Sequence, residues 1–276
     1  MKHVLLIANL DGKSVPMLRY ASRMCKALDL RLHVLQIDPE NIPVLISSPY
    51  YINKFGLLGT TSDYSKKNDL KTFVKNNTND LIDSSWISLD IFHGNIDDSL
   101  GKFMNEKKID LVITRRKALF ENQLGENELY KKLLLNISKV PVLLLSENQT
   151  YKKWEKLTYM TTCSQYDFEN IKWLQSNLPE SSIRSVHCAP KGPNKESHRW
   201  VSFLQHEIGN EIEFEESKTS VSEFVSNFDG ASTDNDLLCF TTKRRTFWDR
   251  LMNPSLTMDL VKQTQNQVLI FKHIDN

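Results

Sequence analysis

LVITRRKALFENQLGENELYKKLLLNISKVPVLLL, from Leu111 to Leu145, has a second copy in the same chain: LCFTTKRRTFWDRLMNPSLTMDLVKQTQNQVLIFK, from Leu238 to Lys272. The two segments align without a gap at an offset of 127 residues, and several Leu, Thr and Phe residues recur at matching positions. Each copy has the pattern of a short apolar strand, a basic loop, an amphipathic helix and a second apolar strand. This repetition predicts a duplicated α/β domain.

The composition is that of a globular protein with room for two domains. The chain has 276 residues, of which 40% are hydrophobic and 25% charged; each half is long enough to bury a core. Its formal net charge of +1 predicts no general attraction to nucleic acid or to an anionic membrane. No apolar run approaches the length of a membrane span. We therefore expect a cytoplasmic protein.

The cysteines and histidines indicate neither a disulfide framework nor a metal site. The four cysteines are scattered, without a CxxC pair, and each lies in an apolar segment, which predicts buried free thiols in a reducing compartment. The seven histidines form no HxxxH or HxH spacing, so no metal is expected. His33 and His187 fall in equivalent strands and are interpreted as packing or capping residues.

The first half, residues 1–147, predicts five strands that alternate with helices. The apolar run His3–Leu10 suits a central parallel strand, because it would be buried on both faces. The further predicted strands are Arg31–Ile37, Trp86–Phe92, Asp110–Thr114 and Val140–Leu145. The connection from Asp38 to Tyr64 is irregular and rich in Pro, Gly and aromatic residues; it fits a cover of the sheet end, a dimer contact or a lid over a ligand.

The second half, residues 156–276, repeats the same order after a short polar linker. Its predicted strands are Leu157–Cys163, Ile183–Cys188, Glu211–Phe214, Asp236–Phe240 and Gln267–Lys272. Helical patterns lie between them, and the irregular connection of the first half is much shorter here.

Taken together, the repeat resembles the universal stress protein family in its tandem two-domain form. The resemblance covers nearly the whole chain and is carried by Leu10-Asp11-Gly12, Arg19-Tyr20-Ala21, Leu32-His33-Val34-Leu35, Val140–Leu145 and, in the second half, Thr241–Leu260. It implies two doubly wound domains, each a five-stranded parallel sheet of order 3-2-1-4-5 with helices on both faces. The ligand crevice would lie at the carboxyl ends of strands one and four. The resemblance also implies that the two domains pair through their fifth strands.

Some members of this family bind ATP through Gly-x-x-Gly, nine residues, then Gly-Ser/Thr. Such glycines let backbone N–H groups approach phosphate oxygens. Neither half of this chain keeps a glycine at these positions, and Pro254 lacks the N–H donor altogether. The equivalent residues are Thr114, Lys117, Asn127 and Glu128 in the first half, and Thr241, Arg244, Pro254 and Ser255 in the second. The sequence therefore predicts that family-type ATP binding is lost in the second half and weakened in the first.

Polar residues remain at the predicted crevices even without the glycines. Asp11 and Gly12 match the family's position near the nucleotide base, with Asp167 as a looser counterpart in the second half. Two basic loops follow the fourth strands and could replace a backbone cradle by Arg and Lys side chains; a solvated basic loop is the alternative. The candidate binding residues are Asp11, Gly12, Thr114, Arg115, Arg116, Lys117, Thr241, Lys243, Arg244, Arg245 and Ser255.

Three functional hypotheses follow from the sequence. The first is a stress-response protein that binds a small ligand or a protein partner without catalysis, paired within the chain and able to form a homodimer. The second is a universal stress protein that binds, or slowly hydrolyses, ATP or another adenine nucleotide in the first half. The third is an enzyme of another nucleotide-hydrolase-like class, although no GxSxG nucleophile motif is present.

Overall fold

A computed structural model of the chain describes residues 1–7, 12–38, 59–93, 96–116, 140–146, 149–190, 192, 195–208, 212–233, 235–243, 264 and 266–273. The chain divides into two compact units. The first unit is Met1–Ile137 with Glu147–Tyr151, and the second is Ser138–Ser146 with Lys152–Asn276.

The first unit alternates strands and helices, as its apolar runs predict. Its parallel strands are ordered β3-β2-β1-β4. Parallel strands covered by helices need apolar side chains on both faces, and all five residues of β4 are buried. The elements are β1 (His3–Ile7), a 3-10 turn (Gly12–Ser14), α1 (Val15–Ala27), β2 (Arg31–Asp38), α2 (Gly59–Thr78), a 3-10 turn (Ser84–Trp86), β3 (Ile87–His93), α3 (Ile96–Lys107) and β4 (Leu111–Arg115).

The second unit repeats this order and adds a strand at one side. Its strand order is β5-β10-β9-β6-β7-β8, and every pair from β10 to β8 is parallel. The elements are β5 (Val142–Leu145), β6 (Lys156–Met160), α4 (Gln165–Asn177), β7 (Ser182–Cys188), α5 (Lys195–Ile208), β8 (Ile212–Ser217), α6 (Val221–Ala231), β9 (Asp236–Lys243) and β10 (Gln267–His273).

The antiparallel pair is β5 with β10, in which Leu143 lies opposite Leu269. All four residues of β5 are buried, so a partner strand covers what would otherwise be an exposed apolar edge. The fold is therefore α/β with mostly parallel strands, as predicted. The finer prediction of two separate five-stranded sheets is not reproduced in this grouping, because β5 belongs to the second unit.

Every strand predicted from the sequence is present, and most ends differ by a few residues. The clearest correction concerns the irregular connection, predicted to extend to Tyr64: the helix α2 already begins at Gly59. The stretch Gly59–Asp63 is polar and lacks the apolar periodicity used to recognise helices, yet backbone hydrogen bonding can extend a helix beyond its apolar face. Residues 39–58 and the two repeat helices lie outside the described residues.

The described helices and cysteines bear on two further expectations. None of the helices within the described ranges combines the length and apolarity needed to cross a membrane. All four cysteines are free thiols, as predicted; Cys25 and Cys239 are buried, whereas Cys163 and Cys188 are partly exposed. Burial raises the pKa of Cys25 to about 12, so this thiol stays protonated and unreactive.

His33 is a packed core residue of the first unit, as predicted. It is 6% exposed; its Nε2 lies 2.9 Å from Nδ1 of His3, and its Nδ1 lies 2.5 Å from Oγ of Ser88. Burial, followed by the charge of His3, lowers the pKa of His33 to about 4. The other charged neighbours act more weakly: Lys107 and Arg31 lower the pKa, and Asp90 raises it.

The depressed pKa of His33 predicts a loss of stability in acid. The unfolded state takes up the proton near pH 6.5 and the folded state only near pH 4, so stability falls as the pH drops through this window, by up to about 3 kcal/mol at its lower end. Denaturant unfolding at neutral pH and in mild acid measures the effect. His33→Gln should remove this part of the pH dependence, whereas the exposed control His206→Gln should keep it. An unchanged acid loss in His33→Gln contradicts the assignment.

Candidate functional site

The candidate crevice of the first unit lies at the carboxyl ends of β1 and β4. These strands are parallel neighbours, with Leu6 paired with Ile113, so the residues that follow them meet at one edge of the sheet. The chain leaves β1 toward α1 and β2 on one side, while β4 lies on the other side. Such a reversal of strand order is where open α/β sheets bind ligands. The described candidates at this edge are Gly12, Thr114, Arg115 and Arg116.

Thr114 is the first candidate with an unusual environment. It is 1% exposed, and its hydroxyl has no hydrogen-bond partner among the described residues. A buried hydroxyl without a partner is costly, because it gives up its bonds to water. Thr114 occupies the first glycine position of the phosphate motif. The hydrogen-bonding capacity of this hydroxyl is therefore unused by the described residues.

Arg115 and Arg116 follow Thr114 directly, and each is only 7% exposed. A buried guanidinium group is stable only when an anion compensates its lost hydration. Among the described residues, no carboxylate forms an ion pair with Arg115. The carboxyl end of β4 therefore carries two buried arginines directly after a threonine whose hydroxyl has no described partner.

Gly12 opens the 3-10 turn that leads into α1. A Cβ built at Gly12 would meet no atom within 4 Å, so steric crowding by the described residues does not require glycine at this position. Of the other candidates, Asp11, Lys117, Arg244, Arg245 and Ser255 lie outside the described residues. Lys243 is the last residue of β9, and its side chain is likewise not described.

The equivalent site in the second unit is organised differently. Thr241, the counterpart of Thr114, accepts a hydrogen bond of 2.7 Å from the side-chain amide of Asn170 and donates one of 3.2 Å to Asp167. Its hydroxyl also contacts the hydroxyl of Tyr159. Thr241 is thus fully engaged within the protein.

Asp167 is the centre of this network. It is 0% exposed, and its carboxylate accepts from the hydroxyl of Tyr159 at 2.7 Å and from the backbone N–H of Ser164 at 3.0 Å. Thr161 and Thr162 donate further hydrogen bonds to the same carboxylate. A carboxylate has about four lone-pair positions, so Asp167 is saturated. It fixes the start of α4 and leaves no acceptor for a ligand.

The sequence did not identify Tyr159 and Asn170 as members of this network. Burial, then the charge of Asp167, raises the pKa of Tyr159 well above its ordinary value, so its hydroxyl remains a hydrogen-bond donor. One local signal was present: Ser164-Gln165-Tyr166-Asp167 has the spacing of a helix-capping box. A Tyr within an apolar strand indicates a polar contact, but the sequence does not say with which residue.

Strand register explains why, among the described residues, the first unit lacks the tyrosine of this network. Leu5 pairs with Val112 and Tyr159 pairs with Cys239, and Val112 and Cys239 are matched in the repeat. Leu5 is therefore the counterpart of Tyr159. The phenol that engages Thr241 is replaced by an apolar side chain in the first unit. Counted in the same register, Gln165 corresponds to Asp11.

These features define a doubly wound α/β protein. Among the described residues, Thr241 and Asp167 in the crevice of the second unit are fully hydrogen-bonded, whereas Thr114 in the crevice of the first unit has no partner for its hydroxyl. The fold of the protein is that of the universal stress proteins. A universal stress protein from Archaeoglobus fulgidus DSM 4304 matches with a TM-score of 0.63 and 11% identity, over 99% of this chain and 97% of its own. A putative universal stress protein from Pseudomonas aeruginosa UCBPP-PA14 matches with a TM-score of 0.54 and 12% identity, over 99% and 93%.

The fold is also found outside proteins of that name. The cytoplasmic domain of a prokaryotic cation chloride cotransporter matches with a TM-score of 0.50 and 12% identity, over 98% of this chain and 94% of its own. No family model matches the chain, and no curated protein matches it in sequence. At these identities the likeness establishes the fold, and the site must be argued from its own residues.

The contrast between the two threonines predicts a difference in stability. Thr241→Val removes a hydroxyl that serves three partners, and it should lower the free energy of unfolding by about 1–3 kcal/mol. Thr114→Val, the matched control, removes an unpartnered hydroxyl and should be neutral or stabilising. Denaturant unfolding of both variants measures this. Equal destabilisation would show that the Thr114 hydroxyl is engaged after all.

Proposed function

We propose that this chain is a non-catalytic ligand-binding protein of the universal stress type, whose first-half crevice takes a small anion. The observation that supports this most directly is the hydroxyl of Thr114, which has no described partner and is followed in the chain by the buried Arg115 and Arg116. Arginine side chains and a hydroxyl bind phosphate or carboxylate oxygens. The described part of this crevice supplies no histidine or carboxylate that could act as a general base, which favours binding over catalysis.

The second half contributes no ATP site in this proposal. The family-type phosphate cradle needs a backbone free to approach a ligand, yet Thr241 stands at its first glycine position and is held by Asn170 and Asp167. Pro254, at the third, has no N–H to donate. The finer architecture that we propose is two five-stranded domains of order 3-2-1-4-5, covering residues 1–147 and 156–276.

The pairing and the setting are also part of the proposal. The antiparallel β5–β10 ladder supports pairing of the two halves within one molecule through their fifth strands, and a homodimer of such molecules is compatible with it. We place the protein in the cytoplasm, in a stress response, with neither membrane nor nucleic acid as a partner.

The second candidate function is adenine-nucleotide binding in the first half. The same residues favour it, because nucleotide phosphates would provide partners for Thr114 and Arg115 as well as any other anion. Asp11 would then contact the base, as the family resemblance implies. The two candidates differ in whether the adenine ring adds affinity.

Isothermal titration calorimetry with ATP, ADP, AMP and inorganic phosphate tests both candidates. We expect an anion to bind the wild type and Arg116→Ala to weaken binding at least about tenfold, since a charged hydrogen bond is lost. The exposed Lys71→Ala on α2 is the control and should bind normally. Clear preference for adenine nucleotides, lost in Arg116→Ala, would establish the second candidate over the first. Absence of binding by every anion would contradict both.

A further inference from the structure

A groove of about 760 Å³ opens in the second unit, between the helix α6 and the amino-terminal ends of the strands. This volume is typical of small-molecule sites. Lys156, Ser182 and Asp236 are the first residues of β6, β7 and β9, and all three line the groove. The groove is therefore at the opposite end of the strands from the crevice that contains Thr241 and Asp167.

Three residues that line the groove, Thr158, Arg184 and Glu213, lie opposite one another on β6, β7 and β8. They belong to a row of four paired residues across the sheet. In the first unit the equivalent row is apolar, as expected beneath a helix in a doubly wound fold. In the second unit three of the four positions carry polar or charged side chains. Strand pairing gives the first row as Leu111, Val4, Leu32 and Ile87, and the second as Leu238, Thr158, Arg184 and Glu213.

The three polar residues of this row differ in exposure: Thr158 is buried, the side chain of Arg184 is 40% exposed and Glu213 is exposed. Val4 and Leu32 are 0% exposed, and Thr158 is 4% exposed at the position of Val4. Arg184, at the position of Leu32, forms an ion pair with Glu215 through Nη2, while its Nε is buried without a partner among the described residues. Unpaired polar atoms on the floor of a cavity are where a ligand would gain hydrogen bonds.

The lining carries both signs of charge and an aromatic wall. Lys156 forms no ion pair with any described residue, and neither does Glu213. Asp236 accepts one backbone N–H, from Thr233. The rings of Phe224 and Phe228 are stacked, with their centroids 6.4 Å apart. Both residues also line the groove. The groove thus offers a cation, carboxylates and an apolar surface together.

We propose that this groove binds a small zwitterion with an apolar or aromatic side chain, that is, a free amino acid or a close analogue. Its carboxylate would bind Lys156 and Arg184, its ammonium group would bind Glu213 and Asp236, and its side chain would pack on Phe224 and Phe228. A ligand with a single charge would engage only one of these two sets of lining charges. The site is independent of the anion crevice of the first unit.

The test uses the full-length chain and titrates it with L-phenylalanine and L-leucine in calorimetry or ligand-observed NMR. Phenethylamine, which lacks the carboxylate, and 3-phenylpropionate, which lacks the ammonium group, are the matched probes. Binding of the amino acids, with each probe at least about tenfold weaker, is the expected result, because each probe loses charged hydrogen bonds.

Two substitutions in the second unit introduce the apolar residues that the first unit has at the same positions. Since the first unit folds with these residues, we expect the variants to fold as well. Thr158→Val and Arg184→Leu should each weaken amino-acid binding, about tenfold or more for Arg184→Leu, and Thr158→Val should not lower stability. Arg116→Ala, in the other unit, should leave this binding unchanged, which separates a failure here from a failure of the anion site. Equal binding of all four compounds, normal binding by both groove variants, or no amino-acid binding at millimolar concentration would overturn the proposal.

Discussion

Burial of the central strands on both faces is the constraint on which this structure depends. The middle residues of β1, β4, β6 and β9 are buried, because helices cover both surfaces of a doubly wound sheet. Leu5, Val112, Leu157 and Leu237 meet the constraint with apolar side chains and are fully buried. Every buried polar side chain on these strands must therefore form a hydrogen bond inside the protein, because a buried polar group without one lowers stability.

The two units differ in how they satisfy the polar side chains of these strands. At the carboxyl ends, the second unit satisfies Thr241 through Tyr159, Asn170 and Asp167. The first unit has Leu5 in place of Tyr159, and Thr114 finds no described partner. Since the strand register is the same, the difference arises from side chains and not from the backbone. A duplicated fold can thus keep its scaffold while the hydrogen bonding at corresponding positions differs.

The sequence was sufficient for the scaffold but not for the contacts within it. The strands were recognised because continuous apolar runs such as His3–Ile7 are typical of buried parallel strands, and the repeat placed them in order. The saturation of Asp167 could not be predicted, because its donors come from β6, β9 and the turn before α4. The groove could not be predicted either. Thr158, Arg184 and Glu213 lie on three different strands, and only their pairing in the sheet brings them together.

In each unit, the positions described at one end of the strands are apolar or fully hydrogen-bonded, whereas the other end carries a polar group with an unused hydrogen bond. The small net stability of a domain limits how many such groups it can contain. A domain has only about 5–15 kcal/mol of net stability, and each unpartnered buried polar group costs about 1–3 kcal/mol. The first unit has an apolar row under its helices, including Leu32 and Leu111, and leaves Thr114 unpartnered at the other end. The second unit saturates Asp167, and the opposite end of its strands carries Thr158 and Arg184, whose Nε has no partner among the described residues. Each further buried polar group without a partner would remove a noticeable share of this margin, so the polar side chains of the central strands are limited by the partners that the fold can provide.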